Sequence, residues 1–241
     1  MKRMMINLTI ALMAFTIGVG SQRVFVAVAK TSSLSQGQSS PRGPLDSLVE
    51  RAKASGQHEI SFPTGVINDY GVARDVDEAL SWFDVVVATV VYKKSFVDES
   101  DQIRTWFKFK IIENLHKSNR KCTSCQSTLN LPVEMPPPSD DEFLVLKDGG
   151  TVNIKGIRVT SYDSAFPDLS MSARYMLFIS PNPDERNNAL RMGPLGVYKI
   201  DSNDEIEPLR KDHSLSQDVK ARLGDSMSRV RANLRSRVTP Q

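Results

Sequence analysis

A run of β-branched residues stands near the middle of the chain. Residues 84–92 read Asp-Val-Val-Val-Ala-Thr-Val-Val-Tyr. Val and Thr favour extended backbone, because their branched side chains fit a pleated surface better than a helical turn. The run predicts a strand, and a strand needs partners from the rest of the chain.

Further strands are predicted C-terminal to this run. Phe107 and Phe109 lie on one face of an extended segment and Lys108 and Lys110 on the other, which is typical of a half-solvated antiparallel strand. Gly156 supplies the positive φ that a tight hairpin turn requires. The predicted strands are residues 84–92, 105–112, 142–146, 151–154, 157–160, 174–180, 197–200 and 206–209.

Several short strands without alternating helices predict a mainly β fold, which we interpret as an OB-like antiparallel Greek-key barrel. The barrel domain is assigned to residues 45–210. It begins with two predicted helices, residues 45–54 and 75–83, and contains an insertion at residues 117–141 that holds both cysteines and three consecutive prolines.

The N-terminus carries the strongest functional signal. Lys2 and Arg3 precede an uncharged apolar run at residues 4–20, and Ala27 and Ala29 fit the small-residue pattern of a signal cleavage site. Residues 1–29 are therefore predicted to be a signal peptide, followed by a flexible leader at residues 30–44. The alternative is an uncleaved segment that anchors the protein in a membrane. Both interpretations place the rest of the chain outside the cytoplasm, in the periplasm or the medium.

The charge balance bears on the choice of partners. Three of the 31 lysines and arginines lie within residues 1–29, so the predicted mature chain has 28 basic and 28 acidic residues. Binding to a phosphate backbone depends on a concentrated positive field. The composition therefore gives no support for nucleic-acid binding, and the expected partner is a protein or another envelope component.

Cys122 and Cys125 are the only cysteines. In an oxidising compartment a disulfide between them is the simplest interpretation. Two alternatives remain open. A redox motif would require a helix N-terminus in a thioredoxin-like setting, and a metal site would require further ligands, for which His116 is the nearest histidine in the sequence.

Residues 211–241 are predicted to form one amphipathic helix. Six apolar residues recur every three or four positions, and the other face is basic, so the helix could pack on the sheet or lie on an anionic membrane. Packing on the sheet is the favoured interpretation, although Gly224 weakens the helix. The apolar residues are Leu215, Val219, Leu223, Met227, Val230 and Leu234.

The inventory of catalytic motifs is short. Ser226 resembles an esterase nucleophile but is expected inside the final helix, with no histidine after it. The acidic cluster at residues 201–205 starts like a calcium loop but lacks its glycine and distal glutamate, and both this cluster and the one at residues 98–101 are predicted to be hairpin turns. No catalytic residue, cofactor or metal is assigned, and the protein is predicted not to be an enzyme.

Four segments carry a resemblance to a family. Residues 84–91, 105–113, 149–152 and 173–179 resemble a group of secreted bacterial proteins of uncharacterised function, over about residues 75–210. In outline they are similar to the OB-like barrel of netrin-type and metalloprotease-inhibitor modules. The resemblance implies a fold and no catalytic residue. Netrin-type inhibitors place a cysteine at the mature N-terminus, whereas the predicted mature N-terminus here is Lys30.

These observations predict an exported, non-enzymatic binding or envelope-interaction module. The alternative is a thiol-redox or metal-dependent activity at Cys122 and Cys125.

Overall fold

Strands outnumber helices in the computed structural model, which describes residues 43–64, 73–118, 138–180, 190 and 192–238. The predicted mainly β class is confirmed. The helices are α1 (Pro44–Ala54), α2 (Val76–Trp82), α3 (Ser214–Arg222) and α4 (Met227–Val238), and the strands are β1 (Glu59–Pro63), β2 (Asp84–Val97), β3 (Ile103–His116), β4 (Glu142–Asp148), β5 (Gly150–Ile154), β6 (Ile157–Tyr162), β7 (Arg174–Ile179), β8 (Val197–Ile200) and β9 (Ile206–Pro208).

Six strands form an antiparallel sheet in the order β4-β3-β2-β7-β8-β9. The β-branched run forms the first half of β2, where it pairs with β3 on one side and β7 on the other. Because β2 is central, both faces of this run are buried. Successive valines therefore point into different cores, Val85 towards the helices and Val86 towards the opposite face.

Different elements of the chain pack on the two faces of this sheet. Helices α2, α3 and α4 pack on the first, which we call the helix-covered face. The connection between β6 and β7 lies on the second, which we call the loop-covered face, and buries Phe166 and Leu169 there. Phe109 and Phe143 stack on the loop-covered face with ring centroids 5.1 Å apart.

Three strands form a second sheet in the order β1-β6-β5, with β1 parallel to β6. Helix α1 packs against it through Leu45 and Val49. The chain passes from the large sheet to the small one at Gly149 and Gly150, whose φ angles are +86° and +145°. A Cβ on Gly150 would lie 2.1 Å from Thr105 Oγ1, so only glycine fits this crossing.

Both sheets are open in the described part of the chain. β4 and β9 are the edge strands of the large sheet, and they do not pair with each other. The predicted closed OB-like Greek-key barrel is therefore not confirmed. The physical reason is the crossing at Gly149, which sends β5 and β6 into a separate sheet with β1.

The C-terminal residues form two helices, which corrects the prediction of one. The break lies at Gly224, whose φ is +108°, and a Cβ there would lie 2.6 Å from the Cβ of Arg229. After the break, the N–H of Ile206 donates to the carbonyl of Asp225 at 2.8 Å, so the linker extends the sheet edge. All six residues of the predicted apolar stripe are buried on the helix-covered face, which confirms that these helices pack on the sheet.

The predicted bounds of the other elements are confirmed for some and wrong for others. Helices α1 and α2 and the later strands lie within two residues of the predicted positions, whereas β2 and β3 each extend several residues further. Both acidic clusters form hairpin turns, between β2 and β3 and between β8 and β9. The predicted solvated face of β3 is wrong at Lys108, which is buried 3.4 Å from Glu142. Strand β1 was not predicted.

Candidate functional site

A cleft of about 230 Å³ opens where α2, the end of β3 and the end of α4 meet. Residues from three distant parts of the sequence form it. α2 contributes three residues to the lining, β3 contributes its last residue, and α4 contributes a residue of its last turn. We call it the His116 cleft; its lining residues are Asp77, Leu80, Ser81, His116 and Arg237.

Asp77 lies between two arginines. Its Oδ2 is 2.6 Å from Arg222 Nη2, and its Oδ1 accepts a hydrogen bond from Arg237 Nη1. The bond from Arg237, followed by that from Arg222, lowers the pKa of the Asp77 carboxyl below its ordinary range. The carboxylate is therefore ionised at neutral pH, and its charge is offset by two guanidinium groups, of which that of Arg222 also lies 3.6 Å from the Asp218 carboxylate.

Arg237 has hydrogen-bond donors that no described residue accepts. Its Nη1 atom donates to Asp77, and the Nε and Nη2 atoms donate to no described residue. The side chain is about one-third exposed. A guanidinium group binds carboxylates and phosphates through such paired donors, so the cleft offers an acidic group a place to bind.

His116 is fixed in orientation by α2. Its Nε2 atom lies 2.9 Å from the carbonyl oxygen of Leu80. A carbonyl oxygen can only accept, so Nε2 carries a proton and donates it to this hydrogen bond. The Nδ1 atom and the Ser118 hydroxyl are both buried without a hydrogen-bond partner among the described residues. Unused buried polar atoms are uncommon in folded proteins, and they mark this end of β3 as unusual.

One ion pair and one hydrogen bond fix the helices around the cleft. Arg231 of α4 makes a two-pronged contact with Glu113 of β3, with Nε–Oε1 and Nη2–Oε2 distances of 3.0 and 2.8 Å. The Asp218 carboxylate of α3 accepts from the N–H of Val76, the first residue of α2, at 2.8 Å. These contacts hold α2 and α4 on either side of His116.

A second, smaller cavity of about 80 Å³ lies between β1 and the β2–β3 turn. Its carboxylates already have structural partners. Asp101 accepts from the N–H of Leu45 at 2.7 Å and so caps α1, and Asp148 lies 3.2 Å from Arg104. This cavity is therefore explained by the packing of α1 and β4.

Several residues singled out in the sequence lie outside the described residues. They are Ala27 and Ala29 of the cleavage site, together with Cys122 and Cys125. The signal peptide, the leader up to residue 42 and most of the insertion lie outside them as well. The disulfide and the cleavage site stay predictions.

The other candidates have structural positions. Ser226 precedes α4 instead of lying inside a helix, with its Oγ 3.1 Å from that of Ser228. His213 caps α3, where its Nδ1 accepts from the N–H of Leu215 at 3.2 Å. Among the described residues no group of three or more His, Cys, Asp or Glu side chains could hold a metal ion.

Sequence reasoning did not find the His116 cleft. Asp77 and Arg237 are 160 positions apart, and neither belongs to a motif. The only available signal was the apolar stripe of the C-terminal residues, which predicted that a basic helix would pack near the sheet.

Comparisons with models of known protein families, with curated proteins and with solved structures found no match. None of the described helices has the length and apolar character needed to cross a membrane.

Proposed function

We propose that the protein is an exported, non-enzymatic binding module that uses the His116 cleft to hold an acidic group of a protein or another envelope component. The observation that carries the proposal is the set of Arg237 donors that no described residue accepts, at the mouth of an open cleft. An OB-like barrel is not required for this function, because α2, β3 and α4 build the cleft.

Charge and shape support this choice of ligand. Asp77 is neutralised by Arg222 and Arg237, so it does not repel an incoming anion as a bare carboxylate would. Leu80 gives the floor an apolar surface. A ligand with an acidic group and a short apolar part would satisfy both features.

Export is tested separately from binding. We expect the mature protein, recovered from the periplasm or the medium of bacteria that produce the full chain, to begin at Lys30. Mass spectrometry of the intact protein measures this. An unprocessed chain in the soluble cytoplasmic fraction would contradict the proposal.

Binding is tested by nuclear magnetic resonance on the exported protein. The probes are short carboxylates, phosphomonoesters and peptides with an acidic C-terminus. We expect amide shifts centred on Leu80, Ser81 and His116 that are lost in Arg237→Gln. The matched control is Arg229→Gln, which removes an exposed arginine of the same helix that pairs with Asp225.

Two outcomes would contradict the binding proposal. Shifts that survive in Arg237→Gln would place the ligand elsewhere. A ligand that is recovered chemically changed, with the change abolished by one substitution, would make the protein an enzyme.

One observation favours a second candidate function, metal binding. Histidines that bind metals commonly donate their other ring N–H to a carbonyl oxygen, as His116 does to Leu80. This fits the alternative predicted from the sequence, a metal-dependent or redox activity at Cys122 and Cys125. Metal analysis and thiol titration of the exported protein, with and without reductant, test it: an inert disulfide and no bound metal would dispose of it.

A further inference from the structure

The guanidinium group of Arg237 has one particular edge that no described residue contacts. Its Nη1 atom donates to Asp77, which leaves the Nε and Nη2 atoms for a ligand in the His116 cleft. The N–H bonds of these two atoms point in parallel, so this edge can donate to both oxygens of one planar group at the same time.

Arg231, in the same helix, already uses this edge. Its Nε and Nη2 atoms lie 3.0 and 2.8 Å from the two carboxylate oxygens of Glu113. The edge that Arg231 gives to a carboxylate is therefore the edge that Arg237 keeps for a ligand. A carboxylate is planar and matches the geometry of this edge, whereas the oxygens of a phosphate are arranged as a tetrahedron.

The charges around the cleft set the charge of the ligand. Asp77 contacts Arg222 and Arg237, and Arg222 also lies 3.6 Å from the Asp218 carboxylate. Two positive and two negative groups thus offset each other. A singly charged acid adds one negative charge beside Arg237. A doubly charged phosphate would add a second one close to Asp77, and none of these four groups would offset it.

The size of the cleft limits the rest of the ligand. Its volume of about 230 Å³ lies below the roughly 300–1,000 Å³ of pockets that enclose a drug-sized molecule. Leu80 contributes an apolar surface to the lining. The cleft therefore has room for a carboxylate with a short aliphatic part, which is either a free acid or the carboxyl end of a peptide.

We propose that the ligand of the His116 cleft is a monocarboxylate with a short aliphatic part, bound through the Nε and Nη2 atoms of Arg237, and that the cleft discriminates against phosphates. Asp77 is a positioning residue, because it accepts from Nη1 and so holds the guanidinium group in place. This inference rests on the proposed function, the binding of an acidic group in this cleft, and narrows it to one chemical class.

Four probes with the same propyl group test the proposal on the full-length exported protein. They are butyrate, propanesulfonate, propyl phosphate and butyramide, titrated at pH 7 while the amide shifts of Leu80, Ser81 and His116 are followed. We expect butyrate to bind roughly tenfold more tightly than propyl phosphate. Propanesulfonate should lie between them, because it has the charge of a carboxylate without its planar shape, and butyramide should not bind measurably.

A peptide distinguishes the two sources of the carboxylate. Acetyl-alanyl-alanine has a free C-terminal carboxylate, and its C-terminal amide is the matched control. Tighter binding of the acid than of butyrate would support the end of a peptide as the ligand, and weaker binding would support a free acid. Equal binding of the peptide acid and its amide would overturn the proposal.

Two substitutions test the geometry and the charge separately. Arg237→Lys keeps the charge but removes the paired donors, so it should weaken butyrate roughly tenfold and abolish the preference for butyrate over propanesulfonate. Asp77→Asn removes one negative charge but keeps an oxygen that can accept, so it should strengthen the binding of propyl phosphate several-fold. Arg229→Lys, at the exposed pair with Asp225, is the matched control and should change neither affinity.

The outcomes separate this inference from the proposed function. Propyl phosphate that binds as tightly as butyrate, with shifts that are lost in Arg237→Gln, would overturn the inference and leave the proposed function in place. An absence of shifts with all three anions would contradict both. Unchanged butyrate affinity in Arg237→Lys would overturn the binding through paired donors. The comparison of probes on the wild-type protein needs no variant, so it is decisive even if a variant fails to fold.

Discussion

The two faces of the six-stranded sheet differ in where their charged side chains lie and in how far these reach water. On the helix-covered face the charged groups lie at the rim, where Arg231 meets Glu113 and Arg222 meets Asp77 in partial contact with water. On the loop-covered face Lys147 is enclosed, and no carboxylate of the described residues forms an ion pair with it. The helices end at the rim of the sheet, where their long charged side chains reach water. The β6–β7 connection instead lies across the sheet and covers the side chains beneath it.

The largest expected effect is the loss of stability from a leucine-to-alanine substitution, which we compare between α4 and the β6–β7 connection. Leu234 of α4 and Leu169 of the β6–β7 connection are both about 1% exposed. We expect Leu234→Ala to cost about 4 kcal/mol, because a helix fixed by its neighbours cannot collapse into the cavity, and Leu169→Ala to cost about 2 kcal/mol, because the connection can relax. Urea unfolding measures both. Equal losses would show that the connection is as rigid as the helices.

The next largest effect is a gain in stability. Lys147→Met replaces an enclosed amine by an apolar side chain of similar length, and removes the cost of burying a charged group that forms no ion pair with a described residue and donates one hydrogen bond, to the Asp148 carbonyl oxygen. We expect the free energy of unfolding to rise by about 1.5 kcal/mol. A loss of stability would mean that the fold depends on the amine.

A smaller loss is expected at the rim. Arg231→Met removes the two-pronged contact that fixes α4 to β3, and should lower the free energy of unfolding by about 1 kcal/mol. Arg229→Met, which breaks an exposed pair with Asp225 in the same helix, should change it by less than about 0.5 kcal/mol. Indistinguishable variants would show that the contact with Glu113 adds nothing beyond an ordinary surface pair.

The smallest effects appear in the pH dependence of stability. The folded pKa of Asp77 is lowered, so its contribution is present above about pH 4 and is lost as the pH falls further. The folded pKa of Lys147 is also lowered, so the unfolded chain binds that proton more tightly and stability rises with pH up to about 10.4. Unfolding curves should show Arg237→Gln flattening only the acid end and Lys147→Met only the alkaline end.

Local chemistry explains which parts of the fold could be predicted from sequence. The valines of β2, the alternation in β3 and the glycine of the β5–β6 turn all act within a few residues. The turn at Lys155 and Gly156 has positive φ at both positions, as a tight hairpin needs. These elements were predicted near their observed positions.

Contacts between residues far apart in the sequence explain the features that the sequence did not predict. β1 has five residues, and its only partner among the described strands is β6, far along the chain. Lys108 reads as a solvent-facing lysine, yet Glu142 lies beside it. The His116 cleft needs α2, β3 and α4 to be in place before its residues meet, and Lys147 is buried only once the β6–β7 connection folds over it.

The parallel pairing of β1 with β6 also has a consequence for how the chain assembles. Glu59 pairs with Arg158, which closes a loop of about a hundred residues, and a loop of that length carries a large entropic cost until the intervening strands have joined. The β2–β3–β4 meander can form first, from neighbouring segments. Strand β1 should therefore acquire protection from hydrogen exchange later during refolding than the local β5–β6 hairpin that it joins.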